Sequence, residues 1–214
     1  MRYLLVEGEQ TSRKEVEGAF QSVDEDMSGT HMDGDASRRF VQGYQNIKVL
    51  DVSQTAIDVT RKRLGAAARY IHWVVADITQ IELDPCSYDV WHDRAVFHFL
   101  TSVEQRIAYV RQVAHAVKRG GHVIVSTFGP EGPKQCSGLD VVRYDANSLH
   151  GQFGSRFRLV KSSEELHQTP FRTIQQFLYC YCMVFTRPTP SGQTCPCQFS
   201  GTAQCGRSFP AWKR

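Results

Sequence analysis

A chain of 214 residues, 41% hydrophobic and 22% charged, can bury one full core and has the composition of an ordinary globular domain. Its formal net charge of +3, with Lys and Arg scattered along the chain, argues against a polyanion-binding surface, so no nucleic-acid partner is expected. No apolar run approaches bilayer length and no secretory pattern opens the chain, so a cytoplasmic protein without membrane contact is expected; its seven cysteines lack framework spacing and suggest reduced thiols.

In chain order, Tyr3-Leu-Leu-Val-Glu-Gly8 reads as a strand and residues 12–22 as a helix, followed by a polar, Gly-punctuated stretch over 24–35. Residues 1–45 are accordingly read as a divergent amino-terminal segment. Asn46-Ile-Lys-Val-Leu-Asp-Val52 is a short apolar strand, with Ser53 as N-cap of a helix from Gln54 to about Ala68. Tyr70-Ile-His-Trp-Val-Val-Ala76 and residues 88–92 are the next strands. Ser102 opens a helix to Lys118, with Val103, Ile107, Val110, Val113 and Val117 at helical spacing and Gly120-Gly121 as its C-cap. His122-Val-Ile-Val-Ser-Thr127 is a fourth strand of this run, and Gly129-Pro-Glu-Gly-Pro133 is a loop.

Alternating strands and helices over 46–128 describe a parallel sheet covered by helices. Residues 157–163 and 173–185, joined by a turn around Thr169-Pro170 with no helix between, should pair antiparallel. The core thus runs over 46–186, and residues 187–214, rich in Pro, Gly, Ser, Thr, Gln and Cys, read as a disordered tail.

Three strands end in carboxylates, Asp51, Asp77 and Asp93, and in a parallel sheet those ends share one edge, the edge at which α/β sheets bind ligands. A carboxylate there can accept both hydroxyls of a ribose, each charge-assisted bond contributing roughly 1.5–3 kcal/mol. The plainer alternative is that each Asp caps a helix or closes a turn. Asp93 and Arg94 stand together at the end of an apolar strand, where charge is costly unless something uses it. Arg94 either pairs with Asp93 or Glu104 or offers its guanidinium to a carboxylate ligand. His92 and His98 suit packing or capping, and Cys195-Pro-Cys197 lacks a second ligand pair, so no metal site is expected.

At these residues the chain resembles the class I S-adenosylmethionine-dependent methyltransferases. Val49-Leu-Asp-Val-Ser53 is similar to their acidic strand-two motif, Ala76-Asp77-Ile78 to the motif beside the adenine, residues 88–95 to the strand-four motif and residues 118–125 to the strand-five motif. Residues 92–100 and 127–139 resemble the thiopurine-methyltransferase type. The resemblance implies a Rossmann-like α/β fold, mostly parallel with an antiparallel carboxyl-terminal strand pair and a divergent or missing first strand. It also implies S-adenosylmethionine as cofactor and a small-molecule or protein methyl acceptor, without indicating an oligomeric state.

Carried over by residue, Asp51 and Val52 would face the cofactor ribose, Asp77 and Ile78 the adenine, and His92, Asp93 and Arg94 the methionine end and the acceptor. Asp93 and Arg94 are the candidate catalytic pair, and residues 136–144 form part of the acceptor side. Trp91 or Phe97 could offer a ring to the sulfonium. The family's glycine loop after strand one is not intact: Gly34-Asp-Ala-Ser37 resembles its tail, and Gly8 is the alternative. A non-catalytic relative of the same fold is the alternative function. A nicotinamide-dependent reductase is disfavoured, because G-x-G-x-x-G is missing.

Overall fold

The computed structural model describes residues 46–94, 96–169 and 172–185, together with the backbone of residues 2–6. Gly8, Gly34, the expected helix over 12–22 and the tail over 187–214 lie outside the described residues.

Seven strands form one sheet: β1 (Arg2–Val6), β2 (Ile47–Asp51), β3 (Ile71–Val75), β4 (Tyr88–Arg94), β5 (Val117–Phe128), β8 (Phe157–Gln168) and β9 (Ile174–Val184), in the order β3-β2-β1-β4-β5-β9-β8. A separate hairpin pairs β6 (Gln135–Cys136) with β7 (Leu139–Asp140). β2, β3, β4, β5 and β8 run one way; β1 and β9 run the other. The fold is thus α/β, with a mostly parallel, Rossmann-like sheet and the expected antiparallel pair at its end.

The first strand, expected to be divergent or missing, is present between β2 and β4 and runs antiparallel to both. Tyr3 pairs with Leu50 and Asp93, whereas Val6 pairs with Ile47 and Val90. β1 therefore begins at the edge where β2 and β4 end, and the chain leaves Val6 at the opposite edge.

Ser53 caps α1 (Gln54–Leu64) as expected, its side chain accepting from the Ala56 N–H. The α-helix is shorter than the sequence suggests, because Gly65 turns the chain at φ +55 and a 3-10 helix, Gly65–Tyr70, continues. α2 (Val103–Ala116) begins with a capping box in which Ser102 and Gln105 satisfy each other's backbone N–H groups. Its buried stripe is Tyr109, Val113 and Ala116; of the residues at helical spacing, Val113 and Val117 are buried and Val110 packs on the core, while Val103 and Ile107 are 55% and 47% exposed.

The expected glycine C-cap is also corrected. α2 stops at Ala116, and Val117 takes extended geometry and pairs with Tyr88. Gly120 and Gly121 lie instead in a bulge of β5, since Val90 next pairs with His122. Gly120 has φ +78, and a Cβ on Gly121 would meet Val117 Cγ1 at 2.7 Å and the Lys118 and Asp89 carbonyls at 2.9 and 3.0 Å. Lys118 reaches back to Asp89 Oδ2 at 2.7 Å across the bulge.

Side-chain alternation along the strands builds two cores. The first face, with Leu50, Trp91, Val123, Val125 and Cys180, packs against α2 and α3 (Ala146–Phe153). The second, with Val49, Val90, Ile124, Phe128 and Tyr179, packs with Leu64, Cys136 and Val141. Each such large side chain contributes about 1.5–3 kcal/mol when fully buried.

Cys86 is disulfide-bonded, against the expectation of reduced thiols, whereas Cys136, Cys180 and Cys182 are free. Cys86 sits half-buried in a turn at φ +50, where a sulfur can meet a partner without any framework spacing to announce it. Among the described residues no helix is long and apolar enough to cross a membrane.

Candidate functional site

The carboxyl ends of β2, β3, β4 and β5 meet at one edge, as the parallel reading requires. Asp51, the last residue of β2, is 1% exposed, and its Oδ1 accepts the Ser53 N–H at 2.8 Å. Asp51 and Arg94 follow Val49 and His92 by two residues on strands of the same direction, so both project from the second face. Only β1 separates them, which sets their backbones about 10 Å apart, two interstrand spacings. Arg94 pairs in register with Ser126, Ser126 with Tyr179, and Tyr179 with Ser163, so one row of polar side chains crosses this edge.

Asp93 points the other way. It is wholly buried, accepting the Val96 and Phe97 N–H groups at 2.9 and 3.1 Å and the Tyr109 hydroxyl at 2.8 Å. The Tyr109 oxygen in turn accepts Trp91 Nε1–H at 2.9 Å. Burial pushes the Asp93 carboxyl up to about 7, against the pull of its hydrogen bonds. The charge that looked costly at a strand end thus anchors the turn at Phe97–Phe99 and the middle of α2. Asp93 and Arg94, adjacent in sequence, face opposite sides of the sheet.

Asp77 is exposed, and its oxygens close its own turn: Oδ1 accepts the Thr79 N–H and hydroxyl at 2.8 and 2.7 Å, and Oδ2 accepts the Gln80 amide at 2.8 Å. Partial burial opposes its charge, but these bonds prevail and hold its pKa below the ordinary value. Ile78 is 2% exposed and packs in the first core, while Val52, 56% exposed, presents an apolar surface beside Asp51. His92 is buried on the second face, and Trp91 and Phe97 are core residues packed on Tyr109. The edge therefore brings together Asp51, Val52, Asp77 and Arg94, and turns Asp93, Ile78, Trp91 and Phe97 inward.

Sequence reasoning did not single out Ser126 or Tyr179. The signal was available in the alternation of Phe177, Tyr179 and Tyr181, which sends all three to the second face. Among the described residues there is no group of three or more side chains able to hold a metal ion.

Residues 32–121 match the family model described as a methyltransferase domain; that span takes in Gly34, β2, β3 and β4 but not β1. No curated protein matches the sequence. Among solved structures, one reported with the conversion of a disulfide bond into a thioacetal group during echinomycin biosynthesis shares 18% identity over 71% of each chain, at a TM-score of 0.58. A SAM-dependent methyltransferase from Methanosarcina mazei shares 10% identity over 64% of this chain and 81% of its own, at 0.53. The N-methyltransferase NodS from Bradyrhizobium japonicum shares 16% over 65% and 73%, at 0.51. At such identities these likenesses speak for the fold. Rather less than half of the chain is thus similar to a methyltransferase domain, and the solved structures share its fold.

Proposed function

We propose that this chain transfers a methyl group from S-adenosylmethionine to a small-molecule or protein acceptor of the thiopurine-methyltransferase type. The observation that carries the reading is the buried Asp51 carboxylate at the carboxyl end of β2, on the strand that β1 separates from that of Arg94. The residues present fit the nucleoside end of the cofactor. In this reading Asp51 accepts the ribose hydroxyls, Val52 contacts the nucleoside and the turn closed by Asp77 lies beside the adenine; the burial of Asp51, the exposure of Val52 and the Asp77–Thr79 bond support it. Arg94 and Gly34 are assigned to the methionine end.

The cofactor, when bound, supplies a methyl group made electrophilic by its sulfonium. The chain's own contribution is positioning, which can lower a bimolecular barrier by roughly 7–11 kcal/mol when reactants are well aligned. Asp93 acts as a positioning residue, fixing the turn after β4 through Val96 and Phe97.

Isothermal titration with S-adenosylhomocysteine tests the reading. The parent chain should bind, and Asp51→Ala should weaken binding about 10- to 100-fold, the equivalent of one charge-assisted hydrogen bond. Absence of binding by the parent refutes the proposal.

A further inference from the structure

The sheet ends in an open strand. Among the described residues β8 has a single strand neighbour, β9, and comes last in the sheet order, so its other side offers a row of N–H and C=O groups to a further strand. Edges of this kind are usually kept short or broken by proline, yet β8 runs for twelve residues, Phe157–Gln168, without one. Its charges are sorted along its length: Arg158 and Lys161 lie in the first half, Glu164 and Glu165 in the second. A parallel copy in register would set like charges side by side, whereas an antiparallel copy sets each half against its opposite.

The faces agree with that pairing. Lys161, Ser163 and Glu165 pair with Tyr181, Tyr179 and Phe177 of the second face, and Ser162 and Glu164 with Cys180 and Leu178 of the first. An antiparallel two-fold through Ser163 therefore places Lys161 opposite Glu165 of the second copy on one face and Ser162 opposite Glu164 on the other, each contact occurring twice. Farther along, the register of β8 shifts between Leu159 and Lys161, so that Leu159 pairs with Cys182 and packs on the first face. Leu166 pairs with Gln176, two residues before Leu178, and so lies on that same face. It is 70% exposed in the single chain, and the two-fold brings it beside Leu159 of the second copy.

We propose that β8 is a homodimer interface, in which two copies pair these strands antiparallel about Ser163 and join their sheets into one. The occupant is a second copy because the order of charges makes the strand complementary to itself. β8 runs in the direction of β2, β3, β4 and β5, so the two-fold sends the two ligand edges opposite ways and keeps both clear of the interface. The interface does not depend on the methyltransferase reading.

Sedimentation velocity of the full chain tests it. One strand edge with its flanking side chains makes a small interface, so the parent should pass from monomer to dimer over roughly 1–100 µM. Lys161→Glu sets acid against acid at both symmetric contacts and should weaken the dimer at least about tenfold, and Glu165→Lys should do the same with base against base. An equimolar mixture of the two variants should dimerise like the parent, because each chain then meets the opposite charge twice. A parent that stays monomeric throughout, a dimer indifferent to Lys161→Glu, or a mixture no better than the variants alone overturns the proposal. Glu165 is half-buried beside Tyr179, so if Glu165→Lys loses the parent's far-ultraviolet circular dichroism, Leu166→Asp at the exposed neighbouring position takes its place. A dimer left unweakened by that substitution equally overturns the proposal.

Discussion

Replacing Tyr109 with Phe removes one oxygen from the most enclosed polar contact of the sheet. That oxygen donates to Asp93 at 2.8 Å and accepts from Trp91 at 2.9 Å, and all three side chains are 0% exposed. A hydrogen bond to an ionised group contributes about 1.5–3 kcal/mol, and a buried donor deprived of its acceptor costs about 1–3 kcal/mol. The ring itself stays, so no cavity term is added, and the expected loss is about 3–5 kcal/mol, a large share of a typical domain's 5–15 kcal/mol. The loss should depend on pH. The Tyr109 donor favours the ionised carboxylate, whose pKa lies at about 7, so it matters more above that value than below it. Urea unfolding at about pH 5 and about pH 8 reads both effects as a fall in midpoint at unchanged slope, larger at the higher pH. A loss below about 0.5 kcal/mol at both, or a larger loss at the lower pH, would refute the reasoning.

Two buried groups should oppose each other in the acid range. Native Asp93 keeps a proton, up to about 7, that the unfolded chain releases from 3.8, so its stabilisation is lost as pH rises through that window. Native His98 refuses, down to about 4, a proton that the unfolded chain takes up from 6.5, so its stabilisation is lost as pH falls. Each contributes a slope of about 1.4 kcal/mol per pH unit where only one state is protonated, with opposite signs. Relative to the parent, Asp93→Asn should gain stability with rising pH between about 4 and 6.5 and His98→Gln should lose it, as read from urea midpoints; parallel profiles would count against both assignments. Gly121→Ala forces a Cβ to 2.9 and 3.0 Å from two carbonyl oxygens of the bulge, and should cost about 1–3 kcal/mol in the same assay, whereas a neutral result would show that the bulge gives way.

Much of the sheet was legible because its strands are short apolar runs bounded by turn signals, and β2, β3 and β4 lie close to where the sequence places them. Strand direction was not legible in β1, since a two-residue alternation looks the same read either way. The Gly120-Gly121 pair was misread because glycine serves a helix end and a bulge equally well, and only the pairing of Val117 with Tyr88 decides between them. α3 was missed through its shortness, although Asp145 and Ser148 form a capping box and Gly154 follows as its C-cap. At the site, Asp51 and Asp77 were found as strand-end carboxylates. That Asp93 turns inward while Arg94 turns outward follows from alternation, but the Tyr109 that meets Asp93 is not among the residues that the apolar periodicity picks out.

The reversed β1 gives the whole sheet a seam. Its five residues bridge β2, some forty positions later in the chain, and β4, more than eighty later, so the central strand is synthesised first and can be paired on both sides only late. Until it docks, β3-β2 and β4-β5-β9-β8 are separate ribbons, each with an open inner edge of unpaired N–H and C=O groups. In the folded sheet β1 is the one strand that joins the strand of Asp51 to that of Arg94, so the two residues share an edge only where both of its sides are paired.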